Sequence, residues 1–139
     1  MRQTEMITAV FVYGTLKRGQ CRSGLWPAEP SSVQPAWTWG KLFGRSDYPA
    51  LTAGQDRVLG ELWKFRTDDI ASVLKTLDQI EGTNQPGQND LYVRVSVETW
   101  APDDQPLQQA NVYHYARDPI GDGFVRLVPG DDGFVRWPD

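Results

Sequence analysis

From Met6 to Leu16 the chain reads MITAVFVYGTL, an apolar run rich in β-branched and aromatic residues that stops at Gly14, between Tyr13 and Thr15. Its length and composition predict a buried strand rather than a helix. Lys17 to Pro35 breaks the pattern with glycines, prolines and serines and predicts a long loop with room for one short helix. Ala36 to Phe43 (AWTWGKLF) reads as a strand with Gly40 as a bulge or point of close approach, followed by a loop from Ser46 to Asp56. Arg57 to Arg66 (RVLGELWKFR) fits a strand buried on both faces, because Leu59 and Leu62 blur its alternation.

One segment carries a clear helical period. Ile70, Val73, Leu74 and Leu77 recur on one face, Thr67 or Asp68 can cap the first turn, and Asp69 suits the positive end of the helix dipole. Gly82 supplies the stop, as a residue able to adopt the left-handed conformation. Thr83 to Asp90 (TNQPGQND) is a polar loop. Leu91 to Trp100 sets Val93, Val95 and Val97 against Tyr92, Arg94, Ser96 and Glu98, a strand with one buried face. A turn at Asp103, Asp104 and Pro106 returns the chain to an antiparallel partner over Gln108 to Tyr115. The tail repeats GFVR at Gly123 to Arg126 and Gly133 to Arg136, which predicts two short strands or turns laying Phe124, Phe134 and Trp137 over the sheet. The echo is too short for a solenoid.

Composition narrows the chemistry. A chain of 139 residues is the size of one domain, taken here as 1–139, and can bury a core without staples. A net charge of −4 argues against nucleic acid and anionic membranes, which call for a basic face. Small molecules or proteins are the expected partners, and nothing in the pattern fixes an oligomeric state. A lone Cys21, the lack of a membrane-length apolar run and the lack of a signal cleavage pattern fit a cytoplasmic protein. With one cysteine and one histidine, His114, there is no Cys/His zinc set and no G-x-S-x-G elbow for a serine triad. No metal or cofactor is expected. The paired acids Asp103/Asp104 and Asp131/Asp132 fall in turns, where solvated acidic loops are the common outcome.

Two places remain for chemistry. At the end of the first strand, the N–H groups of Gly14, Thr15 and Leu16 can converge on an anion, or the glycine can simply turn the chain. At the end of the helix, Glu81 follows Leu77 by four residues and Leu74 by seven, so it projects from the apolar face. Burial and the negative end of the dipole would both raise its pKa, making it a better proton acceptor near neutrality; a frayed helix end would instead leave it solvated.

Val10 to Gln20 (VFVYGTLKRGQ) resembles the signature of the gamma-glutamylcyclotransferase-like family, most closely the branch that includes gamma-glutamylamine cyclotransferases. Tyr48 to Leu51 (YPAL), Gly60 to Trp63 (GELW), Leu77 to Gly82 (LDQIEG) and Tyr92 to Val95 (YVRV) match in order. The resemblance implies an α+β fold, a small mixed or antiparallel β-barrel with one principal helix packed outside. It implies a cofactor-independent intramolecular aminolysis that releases 5-oxoproline and a free amine from a gamma-glutamyl amine or peptide. It makes Glu81 the acid/base residue and places Tyr13, Gly14, Thr15, Leu16, Tyr48, Tyr92 and Tyr113 around the substrate. Arg94 pairs with a carboxylate or stands as a solvated cross-strand charge. After the signature the chain has Gln20, Cys21, Arg22 and Ser23, where many relatives have Asn or His after the glycine. A noncatalytic module binding a small molecule or protein on the same fold is the competing reading.

Overall fold

In the computed structural model, which describes residues 7–14, 17, 24, 26–82 and 91–137, the first apolar run forms β1 (Ala9–Val12), and all four residues are buried. The cause is its place in the sheet. β1 lies between β3 (Pro49–Lys64), to which it is antiparallel with Ala9 opposite Lys64 and Val12 opposite Glu61, and β5 (Ala110–Tyr115), to which it is parallel. A central strand covered on both faces reads as a continuous apolar run. Val10 and Val12 enter one core cluster with Ile70, Val73 and Leu77, whereas Ala9, Phe11 and Tyr13 enter another with Leu42, Leu51, Leu62 and Val112.

β2 (Ser32–Gly44) and β3 form a long antiparallel hairpin whose register shifts between Gly40 and Lys41. Gly40 is both a bulge and a close approach, since a Cβ there would lie 2.6 Å from Leu51 Cδ1. Both strands start earlier than their apolar patterns. β2 begins at Ser32 instead of Ala36, and Pro49 to Asp56 is strand instead of loop. Cross-strand backbone pairing holds Ser32 to Pro35, Pro49 to Thr52 and Asp56 extended, while Ala53 to Gln55 are the extra residues of the register shift; several from Thr52 to Asp56 are partly or fully exposed. Pro49 is tolerated because it is the first residue of its strand.

The helix α1 (Thr67–Glu81) buries Ile70, Val73 and Leu77. Its N-cap is Arg66, in extended conformation and without a side-chain cap, rather than Thr67 or Asp68; Asp68 and Asp69 still favour the first turn. Gly82 closes the other end at φ 67°, ψ 38°, its N–H directed to the carbonyls of Asp78 and Gln79. β4 (Tyr92–Val97) pairs antiparallel with β5. The buried member of β4 is Tyr92, while Val93 is 36% exposed, because β4 is an edge strand and the sheet face bearing Val93 is thinly covered there.

The tail adds β6 (Val125–Arg126) beside β2 and β7 (Phe134–Val135) parallel to β3 at Arg57 and Val58. Phe124 and Val135 are buried, and Phe134 and Trp137 half-buried. The strand order is β4-β5-β1-β3-β2-β6, with β7 off this path. This mixed sheet curls into a half-barrel, and α1 is the one α-helix among the described residues. No helix among them is long and apolar enough to cross a membrane.

His114 on β5 is half-buried, and its Nε2 has no hydrogen-bond partner among the described residues. Burial pushes its pKa below the ordinary value. The unfolded chain therefore holds the extra proton at higher pH than the folded one does, so stability falls as pH drops below about 6.5. Urea denaturation at pH 7.5 and 5.5 is expected to show wild type losing more stability than His114→Leu across that interval.

Candidate functional site

Beyond β1, Tyr13 and Gly14 carry the chain to the sheet end, and the Lys17 N–H returns to the Gly14 carbonyl at 3.0 Å, closing a tight turn. Thr15 and Leu16, expected at this turn, lie outside the described residues, as do Cys21, Arg22, Ser23 and the loop from Thr83 to Asp90. Gly14 is needed for close approach: a Cβ there would sit 2.7 Å from Pro49 Cγ. Lys17 is half-buried and donates from Nζ to the Trp137 carbonyl at 2.5 Å. Burial lowers its pKa, against an opposing pull from Glu61. Trp137 in turn donates from Nε1 to the Arg45 carbonyl at 3.2 Å, so the tail ties the turn to the β2–β3 connection.

Glu81 approaches from the other side as the last residue of α1, half-buried and one turn beyond the buried Leu77. A cavity of about 100 Å³ lies between the two, and its lining includes Tyr13, Gly14, Tyr48, Glu81, Tyr92 and Tyr113. Six of the eight expected site residues thus line one cavity, and the other two fall outside the described residues. The remaining wall is largely apolar, with Ile80, Leu91 and Pro49 among its members.

Three tyrosine hydroxyls of this wall have their protons engaged. Tyr13 donates to the Tyr113 carbonyl, Tyr92 to the Pro49 carbonyl at 2.7 Å, and Tyr113 to Asp78 Oδ1 at 2.6 Å. Burial is the main cause that pushes all three phenol pKa values up, and the charge of Glu81 adds to each. They are neutral near pH 7 and cannot act as bases. Tyr48 is held differently, under the Arg45 guanidinium at 4.7 Å, while Arg45 itself pairs with Asp47 at 2.7 Å.

Asp78 is the residue that the sequence pattern did not single out. It accepts from Tyr113 and lies 3.6 Å from Arg94 Nε, so Arg94 is paired across to the helix. The available signal was its position three residues before Glu81, on the same helix face. Of the acidic pairs in turns, Asp104 is held by Arg57 and Trp37, and Asp132 by Arg136 and the Phe134 N–H. Among the described residues no three His, Cys, Asp or Glu side chains gather as a metal site.

A family model described as gamma-glutamyl cyclotransferase, AIG2-like, matches residues 10–131. No curated protein matches the chain. Among solved structures, an AIG2-like protein from Mus musculus shares 21% identity, with 97% of this chain and 98% of that one covered and a TM-score of 0.65. A protein of Arabidopsis thaliana shares 22% identity over 85% of this chain and 76% of its own, with a TM-score of 0.60. YkqA of Bacillus subtilis shares 19% identity with a TM-score of 0.60; the match covers 88% of this chain but only 38% of YkqA. At these identities the likeness is one of fold.

Proposed function

The chain belongs to the gamma-glutamyl cyclotransferase, AIG2-like family, and from that membership we propose an intramolecular cyclotransferase that releases 5-oxoproline and a free amine from a gamma-glutamyl amine or gamma-glutamyl peptide. One observation carries the reading: Glu81 and the Tyr13–Gly14 turn, far apart in sequence, line the same small cavity.

Glu81 takes a proton from the substrate's α-ammonium group. The freed amine attacks the γ-carbonyl of the same molecule, forming the new C–N bond of the oxoproline ring. Tethering supplies the proximity that a bimolecular attack would lack. Charge then develops on the carbonyl oxygen, and the backbone N–H groups of the turn beginning at Gly14 either stabilise it or hold the α-carboxylate. Glu81 returns its proton to the departing amine as the old C–N bond breaks, and the second proton of the ring nitrogen follows the same route, so the amine leaves as ammonium and Glu81 is again a carboxylate. The nucleophile belongs to the substrate, so the protein supplies a proton carrier and a shaped cavity.

The deciding experiment is a panel of gamma-glutamyl amines and peptides assayed for 5-oxoproline by chromatography. Release from at least one class is expected. Binding of such compounds without any release would instead favour a noncatalytic module. Once a substrate is found, dialysis against EDTA is expected to leave its turnover unchanged. Loss restored by a divalent ion would move the chemistry away from Glu81 alone.

A further inference from the structure

Glu81 shares its helix end with a second carboxylate that the reaction above leaves unused. Residues three apart on a helix stand about 5–6 Å apart at Cβ, which places Asp78 beside Glu81 on one face. Asp78 is fixed there: it accepts the Tyr113 hydroxyl at 2.6 Å and has Arg94 Nε at 3.6 Å from the same oxygen. Arg94 and Tyr113 are themselves directly opposite across β4 and β5. The Tyr113 hydroxyl, on the cavity lining, lies within the fields of Asp78, Arg94 and Glu81 together. The side chains of Asp78 and Arg94 are 16% and 30% exposed, and partly buried charges are screened less than free surface ones.

We propose that Asp78 and Arg94 are opposed positioning residues for Glu81: Asp78 strengthens its hold on a proton while fixing Tyr113 in the wall, and Arg94 offsets part of that charge. This rests on the role given to Glu81 above. The signs follow from electrostatics, because a neighbouring anion disfavours a carboxylate and a neighbouring cation favours it. Among the described residues, the other titratable groups on the cavity lining are Tyr13 at the end of β1, Tyr92 on β4 and Tyr48 before β3. Arg45 above Tyr48 is matched by Asp47, and Lys17, at the far side of the turn, donates to the Trp137 carbonyl. Removing Asp78 and removing Arg94 should therefore act on Glu81 with opposite sign.

The test is a carboxyl-carbon NMR titration of Glu81 in the ligand-free protein, with the resonance assigned by its disappearance in Glu81→Gln. Asp78→Asn keeps an acceptor for the Tyr113 hydroxyl and is expected to lower the Glu81 pKa. Arg94→Met is expected to raise it, and Arg94→Lys to return it toward wild type. Even at the dielectric of water, unit charges about 5–6 Å apart shift a pKa by about half a unit. Should Arg94→Met fail to fold, Arg94→Gln reads the same shift. Opposite shifts support the proposal; shifts in one direction, or none in folded variants, overturn it. Opposite shifts in a protein that releases no 5-oxoproline would leave the charge pair standing and remove the cyclotransferase reading. With a working substrate, the acid limb of kcat/KM should move with the same signs.

Discussion

Glu81→Gln is expected to cut turnover of a gamma-glutamyl amide by about 10²- to 10⁴-fold, the usual worth of a general acid–base group, while leaving the fold and much of the ligand affinity. The amide has the shape of the carboxyl, but it offers one acceptor oxygen and a donor NH2 in place of two acceptor oxygens and cannot accept the α-ammonium proton. The helix end should not suffer. Gly82 closes α1 through its own backbone, and removing a negative charge from a helix C-terminus is neutral or mildly stabilising. Steady-state release of 5-oxoproline, calorimetric binding of the substrate and thermal denaturation together separate the lost proton transfer from a lost structure. Cyclisation at the native rate would place the base elsewhere.

Gly60→Ala should be the most damaging single methyl group for stability. A Cβ at Gly60 would lie 2.3 Å from the Val12 carbonyl oxygen and 2.9 Å from Phe11 Cζ. The first contact is with backbone in the central strand, so no rotamer change relieves it; β1 and β3 must separate. Overpacking of this kind costs about 3 kcal/mol, a large part of the 5–15 kcal/mol that roughly spans ordinary domain stabilities. The melting temperature should fall by about 10 °C. Gly24→Ala is the matched control, since a Cβ there meets nothing within 4 Å among the described residues, and its midpoint should stay at the wild-type value. Because Val12 leads directly into Tyr13 and Gly14, residual activity of Gly60→Ala should fall further than its folded fraction alone explains.

What the sequence revealed was local. The β1 run, the helix through Ile70, Val73 and Leu77, the left-handed stop at Gly82 and the bulge at Gly40 are each written within a few neighbouring residues, as period or as breaker. The rest depends on partners far along the chain. Ser32 to Pro35 and Pro49 to Asp56 are mostly polar or small, and pairing of Ser32 to Pro35 with Glu61 to Lys64, and of Pro49 to Thr52 with Lys41 to Gly44, holds them extended. Alternation in β4 showed that there are two faces but not that Tyr92 would be covered and Val93 left open. Arg66 caps the helix without a side-chain bond and so leaves no chemical signature. Helical spacing and the glycine break point to Glu81 and Gly14, and family likeness adds the tyrosines. Spacing alone could not place Gly14 beside Pro49 or Glu81 near Tyr13, and nothing in LDQIEG marks Asp78 as the acceptor of a hydroxyl 35 residues later.

The central position of β1 also orders events during synthesis. The hairpin of β2 and β3 can zip as soon as both strands leave the ribosome, because its closing turn is short. β1 emerges first yet gains its second neighbour only when β5 appears, and the Tyr13 hydroxyl waits 100 residues for its acceptor at Tyr113. Such long-range closure is slow relative to local pairing. Until then the nascent chain carries an apolar segment with an unpaired edge, the kind of surface that chaperones cover. The cavity is consequently among the last parts of the molecule to exist, and a chain arrested before Tyr113 has every residue from Tyr13 to Tyr92 and no site.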